Sequence, residues 1–351
     1  MEDYIQIGNK KVGGNNSTFI IAEMSANHNQ DFNKALEIIK RAKEAGADAI
    51  KLQTYTPDTI TLDCDNEYFQ IKQGTIWDGT TLHKLYEKAY TPWEWQPRLK
   101  EEAENEGLIC FSSPFDKTAV DFLEKMDVPA YKIASFEITD IPFIEYIASK
   151  GKPVIMSTGI ATLPDIEEAV NACKRMGNEQ IVLLKCTSAY PAPIDTVNLR
   201  TIPNMAETFG TVVGLSDHTL GTHVSVASIA LGAKVIEKHF TISRSEGGPD
   251  SAFSMEPSEF KEMVKGIRDV EKALGTVTYN LTEKQKRSRE HSRSLFVVKD
   301  INKGELFTEE NVKSIRPAFG METKHFKDVI GKKASVDIQK GTPMTWNFVE
   351  R

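Results

Sequence analysis

The sequence predicts a (β/α)8 TIM barrel, of class α/β, followed by a small β-rich domain. Three observations lead there. One phrase recurs along the first 274 residues: an amphipathic segment, a glycine, then a short apolar run that ends in polar residues. It occurs at five glycines, and three further strand-like runs bring the strands to about eight, at spacings of roughly 20 to 30 residues apart from one longer gap, the count and length of an eight-fold barrel. After the helical pattern 256–274 the composition changes to a polar, basic stretch and then to short β-like runs. These divisions give a barrel over 1–274, a linker over 275–293 and a small domain over 294–351.

The first strand is Phe19-Ile-Ile-Ala-Glu23. Gly46 precedes Ala49-Ile-Lys-Leu-Gln53, Gly107 precedes the run 108–112, Gly151 precedes 153–157, and Gly177 precedes 181–186. Glycine at these points suits the left-handed residue that closes a helix. Tyr131-Lys-Ile-Ala-Ser135 and Val212-Val-Gly-Leu-Ser216 add two more strands, and Gly232 introduces the last, 233–236. Between these last two strands lies an Ala/Ser/Val-rich helix, 224–231. Strand, helix and strand form a parallel crossover, so His218 and His239 should emerge at the same end of one sheet. No G-x-G-x-x-G follows the first strand to support a doubly wound dinucleotide fold. The long gap from Thr54 to Pro92 carries Asp63, Tyr68, Trp77, Asp78 and Tyr86, and its aromatic content reads as a lid.

The last segment holds β-like runs at 294–298 and 336–338 and two near-repeated turns, Asp300-Ile-Asn-Lys-Gly304 and Asp337-Ile-Gln-Lys-Gly341. So small a module should lean on a neighbour. The basic cluster Lys284, Lys286, Arg287, Arg289 and Arg293 reads as a charged linker.

With 351 residues, 40% hydrophobic and 26% charged, the chain can bury one large core and one small one. Its net charge of -7 argues against general affinity for nucleic acid or an anionic membrane, because such affinity comes from Lys and Arg neutralising phosphates. Four scattered cysteines without a C-x-x-C read as a reduced, cytoplasmic pattern, with two of them serving as small hydrophobes in strand-like runs. No apolar leader or membrane-length run is present in the sequence.

In a barrel the C-terminal strand ends line the active site. Here they offer Glu23, Lys51, Gln53, Ser112, Ser113, Lys132, Ser135, Glu137, Ser157, Thr158, Lys185, Ser188, Ser216, Asp217, His218, Glu237 and His239. A buried lysine must be paired or bound to an anion. Lysines and hydroxyls converging on one mouth therefore suggest a phosphate ester or carboxylate ligand. The alternative is that Lys51, Lys132 and Lys185 pair structurally with Glu23, Glu137 and Glu237, which leaves the strand-end serines unexplained. Two histidines beside such a pocket, with the other positions open to water and substrate, suit an octahedral divalent ion such as Mn²⁺ better than closed tetrahedral zinc.

Ordered blocks along nearly the whole chain resemble the nonulosonic (sialic) acid synthases. They are Ile21-Ala-Glu-Met-Ser-Ala-Asn-His28, Ile50-Lys-Leu-Gln-Thr54, Phe111-Ser-Ser-Pro-Phe115, Pro129-Ala-Tyr-Lys-Ile-Ala-Ser135, Ser157-Thr-Gly159, Gly214-Leu-Ser-Asp-His218-Thr219 and Glu237-Lys-His239-Phe240. The C-terminal segment, with Ser314-Ile-Arg316-Pro317, is similar to the antifreeze-like (SAF) domain of these enzymes. The stretches 54–63, Gly74-Thr-Ile-Trp-Asp-Gly79 and Tyr90-Thr-Pro-Trp-Glu-Trp95 look like the pseudaminic acid branch of the family.

The resemblance implies condensation of phosphoenolpyruvate with 2,4-diacetamido-2,4,6-trideoxy-L-altrose, with release of phosphate. It implies a divalent metal on His218 and His239, Mn²⁺ with Mg²⁺ or Co²⁺ as alternatives, and Glu23 as the group acting on water. Lys51, Ser113, Lys132 and Ser216 would hold the carboxylate of phosphoenolpyruvate, and Ser135, Ser157, Ser188 and Tyr190 its phosphate. Gln53, Glu137 and Asp250 would face the sugar, with Arg316 reaching in from the partner chain of a domain-swapped homodimer. Ser188 and Lys185 stand where relatives in the family carry asparagine and histidine. Other readings are a neuraminate or legionaminate synthase, a Schiff-base aldolase using Lys132 or Lys185, and a binding protein built on the C-terminal module.

Overall fold

The computed structural model describes residues 4–72 and 74–350, in two compact units divided between Gly275 and Thr276. In the first unit a short hairpin, β1 (Tyr4–Ile7) and β2 (Lys10–Gly13), precedes the barrel. The hairpin has no counterpart in the sequence reading, because strands of four residues carry too little alternation to register. It buries Ile7 and Val12 completely. Gly8, at φ +53°, brings the turn against Ile109, the first residue of a barrel strand, so the hairpin covers the N-terminal end.

Eight parallel strands then close on themselves: β3 (Phe19–Glu23), β4 (Ala49–Thr54), β5 (Ile109–Pro114), β6 (Tyr131–Ile133), β7 (Val154–Ser157), β8 (Ile181–Cys186), β9 (Val212–Asp217) and β10 (Val235–His239). They run in chain order around the barrel, with β10 pairing both β9 and β3. The expected TIM barrel is therefore observed. Each strand is nearly all buried because one face meets the barrel interior and the other meets helices. The helix Phe32–Glu44 shows how the outer layer attaches. Its Ala35, Ile38, Ile39 and Ala42 form one buried stripe at helical spacing, and the Asp31 side chain caps its first turn.

Strand parity decides which side chains reach the centre. On β10, Glu237 and His239 face inward, while Lys238 points outward and is buried against Asp217 of β9 at 2.8 Å. Lys238 also donates to Thr219 O and Gly221 O, so this charge ties the loop after β9 to strand β10 from outside. On β5, Ser112 likewise faces outward and meets Thr54 at 2.6 Å, whereas Ser113 faces in.

The segment after β4 is structured. It contains helices Pro57–Ile60 and Leu82–Ala89 and a bridge between Gln70 and Thr81.

In the second unit β11 (Ser294–Val297) pairs antiparallel with β12 (Val312–Ile315) over a small core that includes Leu295, Val297, Phe307, Val312 and Met344. The expected run at 336–338 forms only an isolated bridge, Ile301 to Ile338. Its neighbours explain the near-repeat: Lys303 N donates to Asp337 at 2.7 Å and Lys340 N donates to Asp300 at 2.7 Å. The two turns clasp each other reciprocally, each aspartate capping the other's backbone. The stretch read as a linker forms a helix, Glu283–Arg289, and it bonds to this unit where Ala318 N donates to Glu290 O.

Candidate active site

The inward residues at the C-terminal strand ends form one buried charged network. Lys51 of β4 lies 2.5 Å from Glu23 of β3 and 3.8 Å from Glu237 of β10, and donates to Ser113 at 3.2 Å. Lys132 of β6 reaches across the barrel to Glu237 at 3.0 Å, and Ser216 donates to the same carboxylate oxygen at 3.4 Å. Part of the structural-pairing alternative is thus observed for Lys51 and Lys132. It is not observed for Lys185, whose ammonium donates to the adjacent Cys186 O and whose strand parity turns it away from the centre.

The pairing leaves polar atoms over. Ser157 Oγ, Ser188 Oγ, Thr187 Oγ1, Glu137 Oε2, Glu237 Oε2 and His239 Nδ1 are buried without a hydrogen-bond partner among the described residues. Such atoms are uncommon in folded proteins, and several around one mouth mark a site that a polar ligand completes. Gly159 makes room for it. A Cβ there would stand 2.1 Å from Ser188 Oγ and 2.7 Å from Ser135 Oγ, so only glycine lets the two serines converge. Its own N–H points at Ser135 Oγ at 3.1 Å.

Electrostatics separate the two central carboxylates. Burial pushes Glu23 up to about 7, against the pull of Lys51 and with the help of Glu237. Against the same burial, Lys132 and Lys51 hold Glu237 below the usual carboxylate range. Two carboxylates whose environments drive them apart can take different acid–base roles. Glu137, just after β6, is also pushed up to about 7 by burial.

The rings of His218 and His239 are 5.4 Å apart. His218 Nδ1 lies 3.1 Å from Thr187 O, which favours the tautomer with its proton there and leaves Nε2 as the lone-pair nitrogen. Burial, followed by the charge of His218, keeps His239 well below the ordinary imidazole range, hence neutral. His239 is neutral with a partnerless Nδ1, whereas at His218 burial is outweighed by the Cys186 thiol and Thr187 O, which raise it; a divalent ion would take the pair with loss of any proton on His218 Nε2, its remaining positions filled by oxygen ligands. Among the described residues no cluster of three or more His, Cys, Asp or Glu offers a complete protein cage. Tyr190 lies over His218 at 4.3 Å and Phe253 abuts His239 at 4.9 Å.

Toward the rim, Gln53 donates to Glu23 at 3.0 Å and to Ser25 at 3.1 Å. Ser25, at φ +46°, turns its hydroxyl to Asp250, which also accepts from Ala26 N. Arg316 is exposed just past β12 in the second unit. All the other candidate site residues belong to the first unit.

Several central residues escaped the sequence reading. Cys186 had the look of a small hydrophobe, yet its thiol lies 3.8 Å from His218 Nδ1 and, despite burial, that histidine draws it down to about 7. Parity from Leu184 is the signal that places it inside. Ser25, Thr187 and Phe253 lie beyond strand ends, where no periodicity points.

The fold and this mouth define a (β/α)8-barrel enzyme whose chemistry lies at the C-terminal ends of its strands. The chain belongs to the NeuB family, whose model matches residues 38–279, and a SAF domain model matches residues 292–350. A pseudaminic acid synthase of Campylobacter jejuni is 50% identical over 337 residues, 96% of this chain and 97% of that protein. The Helicobacter pylori protein of the same name is 47% identical over 333 residues, 95% of this chain and 98% of that protein. Among solved structures, the spore coat polysaccharide biosynthesis protein SpsE of Bacillus subtilis superposes with a TM-score of 0.68 at 33% identity, covering 99% of both chains.

Proposed function

We propose that this enzyme is a transferase of nonulosonic acid synthesis that joins phosphoenolpyruvate to 2,4-diacetamido-2,4,6-trideoxy-L-altrose, giving pseudaminic acid and phosphate. Identity near 50% across nearly the full length to two synthases of that name carries the choice of sugar. The partnerless serines beside two buried lysines support the anionic co-substrate.

Lys51, Ser113, Lys132 and Ser216 hold the carboxylate of phosphoenolpyruvate, and Ser135, Ser157, Ser188 and Tyr190 hold its phosphate. Gln53, Glu137 and Asp250 bind the sugar. His218 and His239 would carry a divalent metal, Mn²⁺ in the first instance, which polarises the sugar aldehyde when bound. The enol carbon attacks that aldehyde, breaking its C=O π bond so that the aldehyde oxygen takes up a proton and becomes a hydroxyl, and C2 becomes electron-poor. Glu23, held near neutrality, takes a proton from the water that adds at C2. The resulting tetrahedral carbon expels phosphate. Lys132, ion-paired to Glu237, and Lys185, turned outward, are poorly placed as Schiff-base nucleophiles.

A homodimer in which each C-terminal domain serves its partner's barrel would bring Arg316 to the sugar. The four cysteines are free, in keeping with the cytoplasm, where phosphoenolpyruvate is made. Among the described residues no helix is long and apolar enough to cross a membrane. The deciding experiment is phosphate release from phosphoenolpyruvate with Mn²⁺ and each candidate aldose in turn. Turnover of the L-altrose sugar well above the neuraminate and legionaminate precursors is expected, and preference for either of those would overturn the assignment.

A further inference from the structure

The lid segment places one side chain over the mouth. Trp77 sits in a tight turn whose backbone is tied by Asp78, which accepts from Gly74 N and Thr75 N, both at 2.9 Å. Its indole N–H donates to Pro249 O at 2.9 Å, next to Asp250. Its ring meets Tyr190 at 5.7 Å and Phe253 at 6.4 Å, and those two rings lie against His218 and His239 respectively. From the histidines outward, the mouth therefore changes from charged and polar to an aromatic wall made of three residues from three separate loops. Tyr190 and Phe253 pack directly on the histidines, and Trp77, which meets the two of them, is the outer member of the wall, on the side toward which a sugar held by its aldehyde at the histidines extends.

We propose that Trp77, with Phe253 behind it, is a specificity-determining residue that receives the methyl end of the sugar and selects a 6-deoxy over a 6-hydroxy aldose. The inference rests on the synthase reading above. Phe253 is 2% exposed and offers no hydrogen bond, and the indole N–H is already taken by Pro249 O. Against the Trp77 and Phe253 rings a hydroxyl at C6 would lose water without gaining a partner from either, whereas a methyl would gain contact area. An apolar wall of this kind discriminates by about 10- to 100-fold in kcat/KM, and no more, because the added hydroxyl is small.

The test compares a matched pair of aldoses differing only at C6, with wild type, Trp77→Phe and Trp77→Ala. Wild type should favour the 6-deoxy sugar by about 10- to 100-fold, Trp77→Phe should keep most of that ratio, and Trp77→Ala should bring it within about 3-fold. The KM for phosphoenolpyruvate should change by much less than the sugar ratio, since Tyr190, which Trp77 abuts, stays in place in every variant. An unchanged ratio in Trp77→Ala overturns the inference. So does an equal loss in Trp77→Phe, which would trace the effect to the Pro249 hydrogen bond and not to the wall. If wild type consumes neither sugar, the synthase reading itself fails, a result distinct from loss of selectivity alone.

Discussion

Lys132 and Glu237 meet at 3.0 Å in the middle of the barrel, from strands β6 and β10 on opposite sides, and both are nearly inaccessible. The same Glu237 oxygen lies 3.8 Å from Lys51, whose nearer partner is Glu23 at 2.5 Å, so two carboxylates and two ammonium groups share one buried network. Removing one member of such a pair leaves a buried charge uncompensated. Lys132→Met should destabilise the fold by about 3 kcal/mol in urea unfolding and abolish saturable phosphoenolpyruvate binding. Wild-type binding in this variant would remove Lys132 from the anion site.

His218 and His239 pack against Tyr190 and Phe253 without anchoring the core clusters around the barrel. Alanine at either position should leave the circular dichroism and melting transition close to wild type while condensation falls by at least about 1,000-fold, the scale of a lost electrophilic stabiliser. Exhaustive chelation of the wild type should do the same, with recovery on adding Mn²⁺. Activity that survives chelation would exclude the metal role.

Gly159 tests the proposed phosphate cradle without touching a charge. A methyl at this position would stand 2.1 Å from Ser188 Oγ, so Gly159→Ala must push the serines apart. The KM for phosphoenolpyruvate should rise by about 10-fold or more with little change in the KM for sugar. Equal effects on both substrates would mean a general distortion and not a phosphate site.

Glu137 should make stability depend on pH. Burial raises its carboxyl from an ordinary 4.5 to about 7 in the folded state. Below 4.5 the group is protonated whether the chain is folded or not, and its contribution vanishes. Between 4.5 and 7 the folded chain holds the proton more tightly, so stability falls as pH rises, and above 7 the full penalty applies. Glu137→Gln should therefore be more stable than wild type at pH 8, by on the order of 3 kcal/mol, with no difference near pH 4. A difference that does not vary with pH would mean that Glu137 is not held neutral by burial.

If Arg316 acts in a partner's site, mixing inactive Arg316→Ala and Glu23→Ala chains should restore activity through heterodimers. One of the two sites in each mixed dimer would then be intact, so recovery should approach about one quarter of wild type once subunits have exchanged at random. No recovery after exchange shown by mass would place Arg316 in its own chain's site or in none.

The barrel was legible from the chain because its repeat is covalent: eight apolar runs, each followed by polar residues, with glycines such as Gly46, Gly107 and Gly232 before them. Strand-end chemistry followed from the same repeat, and so did Glu23, Lys51, Lys132, His218 and His239 as a group. The N-terminal hairpin, the inward thiol of Cys186 and the wall of Trp77, Tyr190 and Phe253 were not legible. Each depends on contacts between residues far apart in the chain, or on a parity that a single strand does not reveal.

By itself, then, the sequence determined the order of strands and the kinds of groups at their ends, since both depend on local pattern. Only the tertiary structure decided which lysine pairs with which glutamate. It turned Lys185 and Lys238 outward while Lys51 and Lys132 turn in, and it left Ser157 Oγ, Ser188 Oγ and His239 Nδ1 without hydrogen-bond partners among the described residues. The physical reason is closure. When the sheet bends round on itself, side chains from opposite strands share one desolvated space, and there each charge must be balanced by groups that no local pattern identifies.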